Sequence, residues 1–126
     1  MKPIYINVHR KSATLELVYK NGITHRLSAE YLRVFSPSAE VQGHSPGQAV
    51  LQFGKRNVTF KDIEPQGHYA IRISFSDGHD SGIYSWNYLF ELASSQETKW
   101  HEYLEALEAT NKSRNPQFIA VDQLKG

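Results

Sequence analysis

The chain contains no cysteine. This absence excludes disulfides, thiolate catalysis and any zinc or iron–sulfur site built from cysteine ligands within the chain. An excess of charge of one sign is also lacking, since 14 Lys and Arg residues are balanced by 13 Asp and Glu residues for a formal net charge of +1. Such a balance gives no electrostatic reason to expect a nucleic acid or an anionic membrane as partner.

Long apolar runs are missing as well. No stretch approaches the roughly 18 consecutive apolar residues of a membrane span. Residues 1–5 lead directly into a strand-like pattern, without the apolar core of a signal peptide. We therefore expect a cytoplasmic protein with no membrane partner. A chain of 126 residues is large enough for one domain with its own core.

What the chain does contain is an internal repeat. The stretch from Leu15 to Leu32 resembles the stretch from Ile71 to Leu89, and each copy has the pattern of strand, tight turn, strand and helix. The matched positions are Asn21-Gly22 with Asp77-Gly78, Leu27 with Ile83, and, after a one-residue insertion, Ser28, Tyr31 and Leu32 with Ser85, Tyr88 and Leu89. The pattern predicts an α+β fold: an antiparallel sheet of β-hairpins with helices on one face, arranged as two pseudo-repeated hairpin–helix units.

Local signals define the elements of these units. Asn21-Gly22 is typical of a two-residue type I′ turn, and Ser28 is the predicted N-cap of a helix over residues 29–35. Ser85 is the predicted N-cap of a second helix. The Ser94–Glu97 stretch has the spacing of a capping box and predicts a third helix.

The remaining segments are irregular. Residues 36–57 are rich in Ser, Pro, Gly, Gln and His, and only residues 49–53 have a strand-like pattern. A long irregular segment of this kind is either a mobile connector or a binding loop, and both interpretations stay open. We predict a domain over residues 1–109 followed by a flexible tail over residues 110–126, where the periodic pattern ends.

Two catalytic patterns fail on their chemistry. The segment Gly43-His44-Ser45-Pro46-Gly47 matches G-x-S-x-G, but the residue after the serine must donate an oxyanion-hole N–H, and Pro46 has none. A non-haem iron oxygenase needs two histidines and a carboxylate, typically with Asp or Glu two residues after one histidine. None of the 6 histidines has that neighbour. The chain is therefore not expected to be an enzyme.

The second turn allows two interpretations. Asp77, His79 and Asp80 are residue types that could form an acid–base or metal-binding cluster. Alternatively, Asp77-Gly78 supplies the chemistry of a hairpin turn and the other two residues belong to the return strand. Aspartate is common in turns because it hydrogen-bonds the nearby backbone, which favours the second interpretation.

A longer signature resembles a known family. Leu32-Arg33, the Ser36–Ala39 segment, the Gly67–Ala70 segment and above all the Asp77–Leu89 block are similar to a small bacterial family. That family is itself similar to the N-terminal domain of gamma-butyrobetaine hydroxylase, and the resemblance covers residues 5–108. In the hydroxylase this domain is an appendage that holds a structural zinc, while a separate jelly-roll domain carries the iron chemistry.

The resemblance implies a zinc site that this chain has lost. The ligands in the hydroxylase domain are a C-P-C-x-x-C cluster and the histidine of a D-G-H turn. Here the cluster is Ser36-Pro37-Ser38-Ala39-Glu40-Val41, and His79 is the one retained position. Serine hydroxyls are poor zinc ligands compared with thiolates, and valine cannot ligate. We expect no bound zinc and no other cofactor.

The resemblance also bears on function. Domains of this family occur attached to P-loop ATPases of the iron–sulfur carrier type, which implies an interaction or accessory module. We accordingly expect a non-catalytic binding module with an unknown protein partner. Its predicted surface combines the region from Arg33 to His44 with the turn at His79. The alternative is a small-molecule or labile-metal-binding domain around His79. The candidate binding residues are Arg33, Ser36, Ser38, His44, Asp77, His79, Asp80 and Tyr84.

Overall fold

The computed structural model describes residues 1–116, which contain six strands and four helices. In chain order the elements are β1 Tyr5–His9, β2 Thr14–Val18, β3 Thr24–Ser28, α1 Ala29–Val34, α2 Ala39–Gln42, β4 Phe60–Gln66, β5 Ala70–Phe75, β6 Gly82–Ser85, α3 Trp86–Ser94 and α4 Gln96–Ala109. The strands form two three-stranded antiparallel sheets, β1-β2-β3 and β4-β5-β6. The predicted α+β fold of antiparallel hairpins is confirmed, with the strands divided between two sheets.

Each sheet leads into its helix in the same way. The chain passes directly from β3 into α1 and from β6 into α3. Ser28 accepts a hydrogen bond from the Tyr31 N–H at 3.0 Å, and Ser85 accepts one from the Tyr88 N–H at 3.0 Å. Both serines have extended backbone, with φ −71° and −68°. Because each hydroxyl satisfies a free N–H of the first helical turn, both predicted N-caps are confirmed.

The alignment of the two units differs from the predicted one in the return strand. Leu27 lies opposite Leu15 in the first sheet, and Tyr84 lies opposite Ile71 in the second. Leu27 and Tyr84 are fully buried, whereas Ile83 is half exposed. Side chains alternate between the two faces of a strand, so Tyr84 is the counterpart of Leu27. The predicted match of Leu27 with Ile83 is wrong.

The two hairpin turns are equivalent to each other, and they differ from the type I′ turn predicted at Asn21-Gly22. In the first turn the Gly22 N–H donates to the Tyr19 carbonyl, and the Tyr19 N–H donates to the Ile23 carbonyl. In the second turn Gly78, Phe75 and His79 form the same two hydrogen bonds. In these turns only Gly22 (φ +84°) and Gly78 (φ +91°) have positive φ. A type I′ turn needs positive φ at both central residues, so the prediction was wrong. The loops are the three-residue form that ends in a glycine bulge.

The second hairpin is one residue longer than the first. The first hairpin runs from the end of its turn at Ile23 to His25, which pairs with Leu17. The second runs from the end of its turn at His79 to Gly82, which pairs with the equivalent residue Ile73. The extra residue therefore lies in the segment Asp80-Ser81, directly after His79.

A reciprocal pair of tyrosine hydrogen bonds joins α1 and α3. The Tyr31 hydroxyl donates to the Leu92 carbonyl at 2.7 Å, and the Tyr88 hydroxyl donates to the Phe35 carbonyl at 2.6 Å. Both carbonyls lie at the C-terminal ends of their helices, where C=O groups have no intrahelical partner. Each unit thus satisfies the helix end of the other, which gives the predicted match of Tyr31 with Tyr88 a physical role.

We expect Tyr31→Phe and Tyr88→Phe each to lower the free energy of unfolding by about 1 kcal/mol, because each leaves a helix-end carbonyl without its donor. Urea unfolding followed by circular dichroism measures the loss. Tyr69→Phe, at a residue that is 79% exposed, is the matched control and should have no effect. A loss at only one of the two positions would show that the two units do not support each other symmetrically.

One hydrophobic core is shared by both units. A single buried cluster includes residues of β2, β3, α1, β5, β6 and α3, and the matched residues Leu32 and Leu89 are fully buried in it. A second, smaller cluster packs Tyr103 and Leu107 of α4 against Val34 of α1. Within residues 1–116, no helix has the length and apolar character needed to cross a bilayer.

Three local predictions were wrong. Residues 49–53 form no strand, and the short helix α2 lies in the segment that was predicted to be irregular. The capping box predicted at Ser94–Glu97 is not formed, because Ser94 is the last residue of α3 and the N-cap of α4 is Ser95. The Ser95 hydroxyl donates to the Glu91 carbonyl at 2.7 Å and gives α4 no side-chain cap. Only Ser95 separates α3 from α4, so its hydroxyl satisfies the end of the first helix instead of the start of the second.

The segment after α4 lies against the body of the fold. The Gly54 N–H donates to the Ser113 carbonyl at 2.9 Å, and the Arg56 N–H donates to the Arg114 carbonyl at 3.0 Å. The tail predicted over residues 110–126 therefore begins with a hydrogen-bonded segment. Residues 117–126 of that prediction lie outside the described residues.

Candidate functional site

A polar cluster connects the segment around α2 with the second hairpin. It comprises Ser36, Ser38, Glu40, His79 and Ser81, and we term it the Ser36–His79 corner. At its centre Ser36 Oγ and His79 Nε2, both buried, lie 2.8 Å apart. His79 Nδ1 lies 3.3 Å from Glu40 Oε2. Because a carboxylate only accepts, the Nδ1 atom carries the proton and Nε2 accepts from the Ser36 hydroxyl.

The serines extend this network to the surface. Ser38 Oγ lies 2.8 Å from Ser81 Oγ, and the Ser81 hydroxyl donates to Glu40 Oε1 at 3.1 Å. Ser38 also caps α2 by accepting from the Glu40 N–H at 3.2 Å. Its own N–H donates to Ser36 Oγ at 3.3 Å. Each side chain of the corner is therefore bonded to another member of the corner.

Gly82 and Tyr84 form the wall behind the corner. A Cβ on Gly82 would lie 2.7 Å from Ser36 Oγ and 2.9 Å from Tyr84 Cε1. The Tyr84 hydroxyl donates to the Leu32 carbonyl, and burial raises the pKa of this phenol. Tyr84 is thus a buried packing residue with its hydroxyl engaged in the fold.

Asp77 is the centre of a second polar cluster beside the corner. Asp77 Oδ2 accepts from Arg33 Nε at 2.8 Å and from Lys55 Nζ at 2.7 Å, and Oδ1 accepts from the His79 N–H at 3.1 Å. Burial raises the pKa of Asp77, but the hydrogen bonds from Lys55, the His79 backbone and Arg33 outweigh it and lower the pKa to about 2. Arg33 also donates to Gln52 Oε1 at 3.0 Å. The carboxylate is ionised and occupied, as in a structural ion pair.

Burial lowers the pKa of His79 below its ordinary value of 6.5, and the positive charge of Arg33 acts in the same direction. Glu40 and Asp77 raise this pKa without reversing the shift. The fold therefore favours the neutral imidazole, which is the form that can accept from Ser36 and donate to Glu40.

We expect His79 to make the folding stability depend on pH on the acid side. Because the folded-state pKa lies below the unfolded value, the contribution is complete above about pH 6.5 and is lost as the pH falls through the folded-state pKa. The measurement is the urea midpoint of the wild type minus that of His79→Gln, followed from about pH 7.5 to pH 5. The difference should shrink with falling pH, and a constant difference would contradict the expectation.

An apolar groove adjoins the corner. It has a volume of about 330 Å³ and lies between α1, α2, the loop over residues 49–52 and α4. Its apolar lining includes Val34, Phe35, Val41, Val50, Tyr103 and Ala106. The Gln42 side chain connects the groove with the corner by donating to the Ser36 carbonyl at 2.9 Å.

The structure brings most of the candidate residues together and separates two from them. Arg33, Ser36, Ser38, Asp77, His79 and Tyr84 lie in the corner, in the Asp77 cluster or in the wall behind them. His44 is exposed in the loop after α2. Asp80 is exposed and lines a different, polar cavity with Lys61 and Arg72. Asp77 bonds to the turn backbone, as the hairpin interpretation predicts.

Four residues of this region were missed from the sequence: Glu40, Gln52, Lys55 and Ser81. Glu40 follows Ser38 at the start of a helix, a local signal for capping that does not point to His79. Gln52 and Lys55 lie in an irregular loop, where no periodicity marks a buried or paired side chain. Ser81 enters the corner because of the extra residue in the second hairpin.

Comparison with known proteins identifies the family of this domain. Residues 6–90 match the family model described as gamma-butyrobetaine hydroxylase-like, N-terminal. The chain belongs to this family. No curated protein matches the chain.

Three solved structures are similar to this gamma-butyrobetaine hydroxylase-like domain. One NMR solution structure is 49% identical with a TM-score of 0.81, covering 95% of this chain and 94% of that chain. A second is 44% identical with a TM-score of 0.77, covering 99% and 93%. A crystal structure at 1.93 Å of a DUF971-family protein of unknown function from Acidithiobacillus ferrooxidans is 36% identical with a TM-score of 0.61, covering 73% and 92%.

The family resemblance implies zinc, and the residues of the corner do not fit it. Zinc in proteins is held by thiolates, imidazoles and carboxylates, whereas the implied positions carry the hydroxyls of Ser36 and Ser38 and the apolar side chain of Val41. Residues 1–116 contain no group of three or more His, Cys, Asp or Glu side chains placed to hold a metal ion. Hydrogen bonds among Ser36, Glu40 and His79 connect the segment around α2 with the second hairpin. A zinc ion at the implied positions would join the same two segments.

Proposed function

We propose that this chain is a non-catalytic binding module that recognises a protein partner through the Ser36–His79 corner and the adjoining groove. The observation that carries the proposal is the burial of the polar side chains: Ser36 and His79, which are hydrogen-bonded to each other, are 0% and 6% exposed, and Arg33, which is bonded to Asp77, is 7% exposed. A general base or nucleophile needs an atom within reach of a substrate. The open surface beside these residues is apolar, as interaction sites often are.

A P-loop ATPase of the iron–sulfur carrier type is the first partner to test. Support comes from the attachment of similar domains to such ATPases, which is an analogy of context. Isothermal titration of the full chain with the purified ATPase from the same organism should show a complex. Glu40→Lys reverses a charge at the corner on a side chain that is 70% exposed and should weaken that complex. Asp80→Lys makes the same change outside the corner and should not.

Absence of heat on titration, together with no cross-linked protein partner in cells, would reject the binding module. Equal effects of Glu40→Lys and Asp80→Lys would place the interaction elsewhere on the surface.

The alternative of a labile-metal or small-molecule domain around His79 predicts a different result. If His79 holds a metal ion, His79→Ala lowers the affinity for zinc or cobalt. For the binding module, the same substitution leaves metal binding in solution unchanged. Elemental analysis of untagged protein, with a zinc titration followed by NMR, distinguishes the two. Stoichiometric metal with shifts at His79 would favour the metal-binding domain.

A further inference from the structure

The groove contains one polar side chain that the described fold leaves without a partner. The side chains of Gln42 and Gln52 and the hydroxyl of Tyr103 all form hydrogen bonds within the fold. Glu102 also lines the groove and is exposed on α4. No residue between positions 1 and 116 forms a hydrogen bond or ion pair with its carboxylate, so the groove combines an apolar surface with one available negative charge.

Within residues 1–116, no basic side chain is hydrogen-bonded to or paired with Glu102. No basic side chain lines the groove, and the loop over residues 43–52 contains no Asp, Glu, Lys or Arg. On α4, the Lys99 ammonium lies over the Phe35 ring at 5.6 Å, and Glu105 is paired with His101. The α4 side of the groove therefore carries the unpaired Glu102 carboxylate, while the nearest α4 cation, Lys99, lies over the ring of the groove residue Phe35.

We propose that the groove binds a segment of the partner protein that inserts apolar side chains and places a lysine or arginine beside Glu102. The inference rests on the proposed function, because it specifies what the same surface recognises. Burial of apolar side chains supplies most of the affinity of such a contact. Val50, which is 56% exposed, would be covered by the partner. The pair with Glu102 sets the orientation of the segment and rejects acidic segments.

Two peptides of equal length serve as probes, one of leucine and lysine and the other of leucine and glutamate. Each is titrated into the full-length chain while backbone amide shifts are followed by NMR. The leucine–lysine peptide should bind more tightly and shift residues 41–52 and 102–106. Glu102→Gln should weaken it about threefold, the size of an exposed ion pair, and Val50→Ser should weaken it as well. Glu97→Gln, on the same helix but lining another cavity, should change nothing.

Equal affinity for the two peptides, or shifts outside the groove, would overturn the proposal. A full-length variant with Phe118→Ser and Ile119→Ser tests the chain's own terminus and should bind like the wild type. Binding seen only in this variant would also overturn the proposal, because the groove would then belong to residues 117–126.

The two proposals fail separately. If the leucine–lysine peptide binds in the groove but the ATPase does not bind, the proposed partner is rejected and the specificity of the groove stands. If the ATPase binds and neither Val50→Ser nor Glu102→Gln weakens it, the binding module stands and the groove is not its contact.

Discussion

Arg114→Ala is expected to lower the free energy of unfolding by about 3 kcal/mol. The Arg114 guanidinium donates to both carboxylate oxygens of Glu30, at 2.8 and 2.6 Å, and lies 5.0 Å from the centre of the Trp100 ring. The Glu30 side chain is only 6% exposed. Removal of the arginine therefore leaves a buried carboxylate without its compensating charge, which costs more than the loss of a surface ion pair.

Urea unfolding of Arg114→Ala and of the double variant Glu30→Gln/Arg114→Ala measures this effect. The double variant should recover much of the loss, because it removes the buried charge together with its partner. Lys112→Ala removes a neighbouring cation that lies 4.6 Å from the Phe53 ring and should cost only about 0.5 kcal/mol. A loss below about 1 kcal/mol in Arg114→Ala would mean that water solvates Glu30.

The same variant should also loosen the loop that forms one side of the groove. Gly54 and Arg56 donate backbone hydrogen bonds to Ser113 and Arg114, so the segment after α4 holds this loop in place. Hydrogen exchange in Arg114→Ala should rise in residues 49–56 more than in β5 or α3. An equal rise throughout the chain would show that the pair contributes to global stability only.

Gly82→Ala is expected to cost about 2 kcal/mol. The new Cβ would lie within 3 Å of both Ser36 Oγ and the Tyr84 ring, and neither can move freely. Ser36 is bonded to His79, and Tyr84 is fully buried with its hydroxyl bonded to the Leu32 carbonyl. The backbone of Gly82 is ordinary extended strand, so the cost comes from space and not from a strained φ.

Urea unfolding again measures the loss, and the background of Ser36→Ala tests its cause. If Ser36 Oγ is one of the two obstacles, Gly82→Ala should cost less in that background than in the wild type. Ser81→Ala, one residue earlier, removes only a surface hydroxyl from the corner and should cost less than Gly82→Ala. Additive losses would show that the Tyr84 ring alone resists the methyl group.

Local rules explain which parts of the fold were predictable. The two N-caps depend on a serine next to the first helical turn, and Ser28 and Ser85 both form the expected bond. The turn type was wrong because Asn-Gly suits both a two-residue loop and a three-residue loop, and the choice depends on strand pairing. The capping box predicted at Ser94–Glu97 was wrong because two helices meet at Ser95, and its one hydroxyl is bonded to the end of the first helix.

The candidate site was only partly predictable for a related reason. Ser36 came from the family resemblance, and His79 came both from that resemblance and from the residue types of the second turn, but the bond between them joins residues 43 positions apart. Glu30 and Arg114 are 84 positions apart, and neither residue has a local signal that identifies the other. Polar pairs of this kind have no period along the chain, unlike the apolar faces of strands and helices.

Because only the second hairpin has the extra residue, the first hairpin can serve as a control for it within the same molecule. Ile23 and His79 end equivalent turns, yet Ile23 is half exposed and His79 is buried in the corner. Selection on the fold acts on both hairpins, whereas selection on the corner acts on one. In relatives of this chain, variation at residues 20–24 would therefore measure what the hairpin alone permits. If sequence variation at residues 76–82 is lower than at residues 20–24, the difference could then be attributed to the contacts of the corner, without comparison to another protein family.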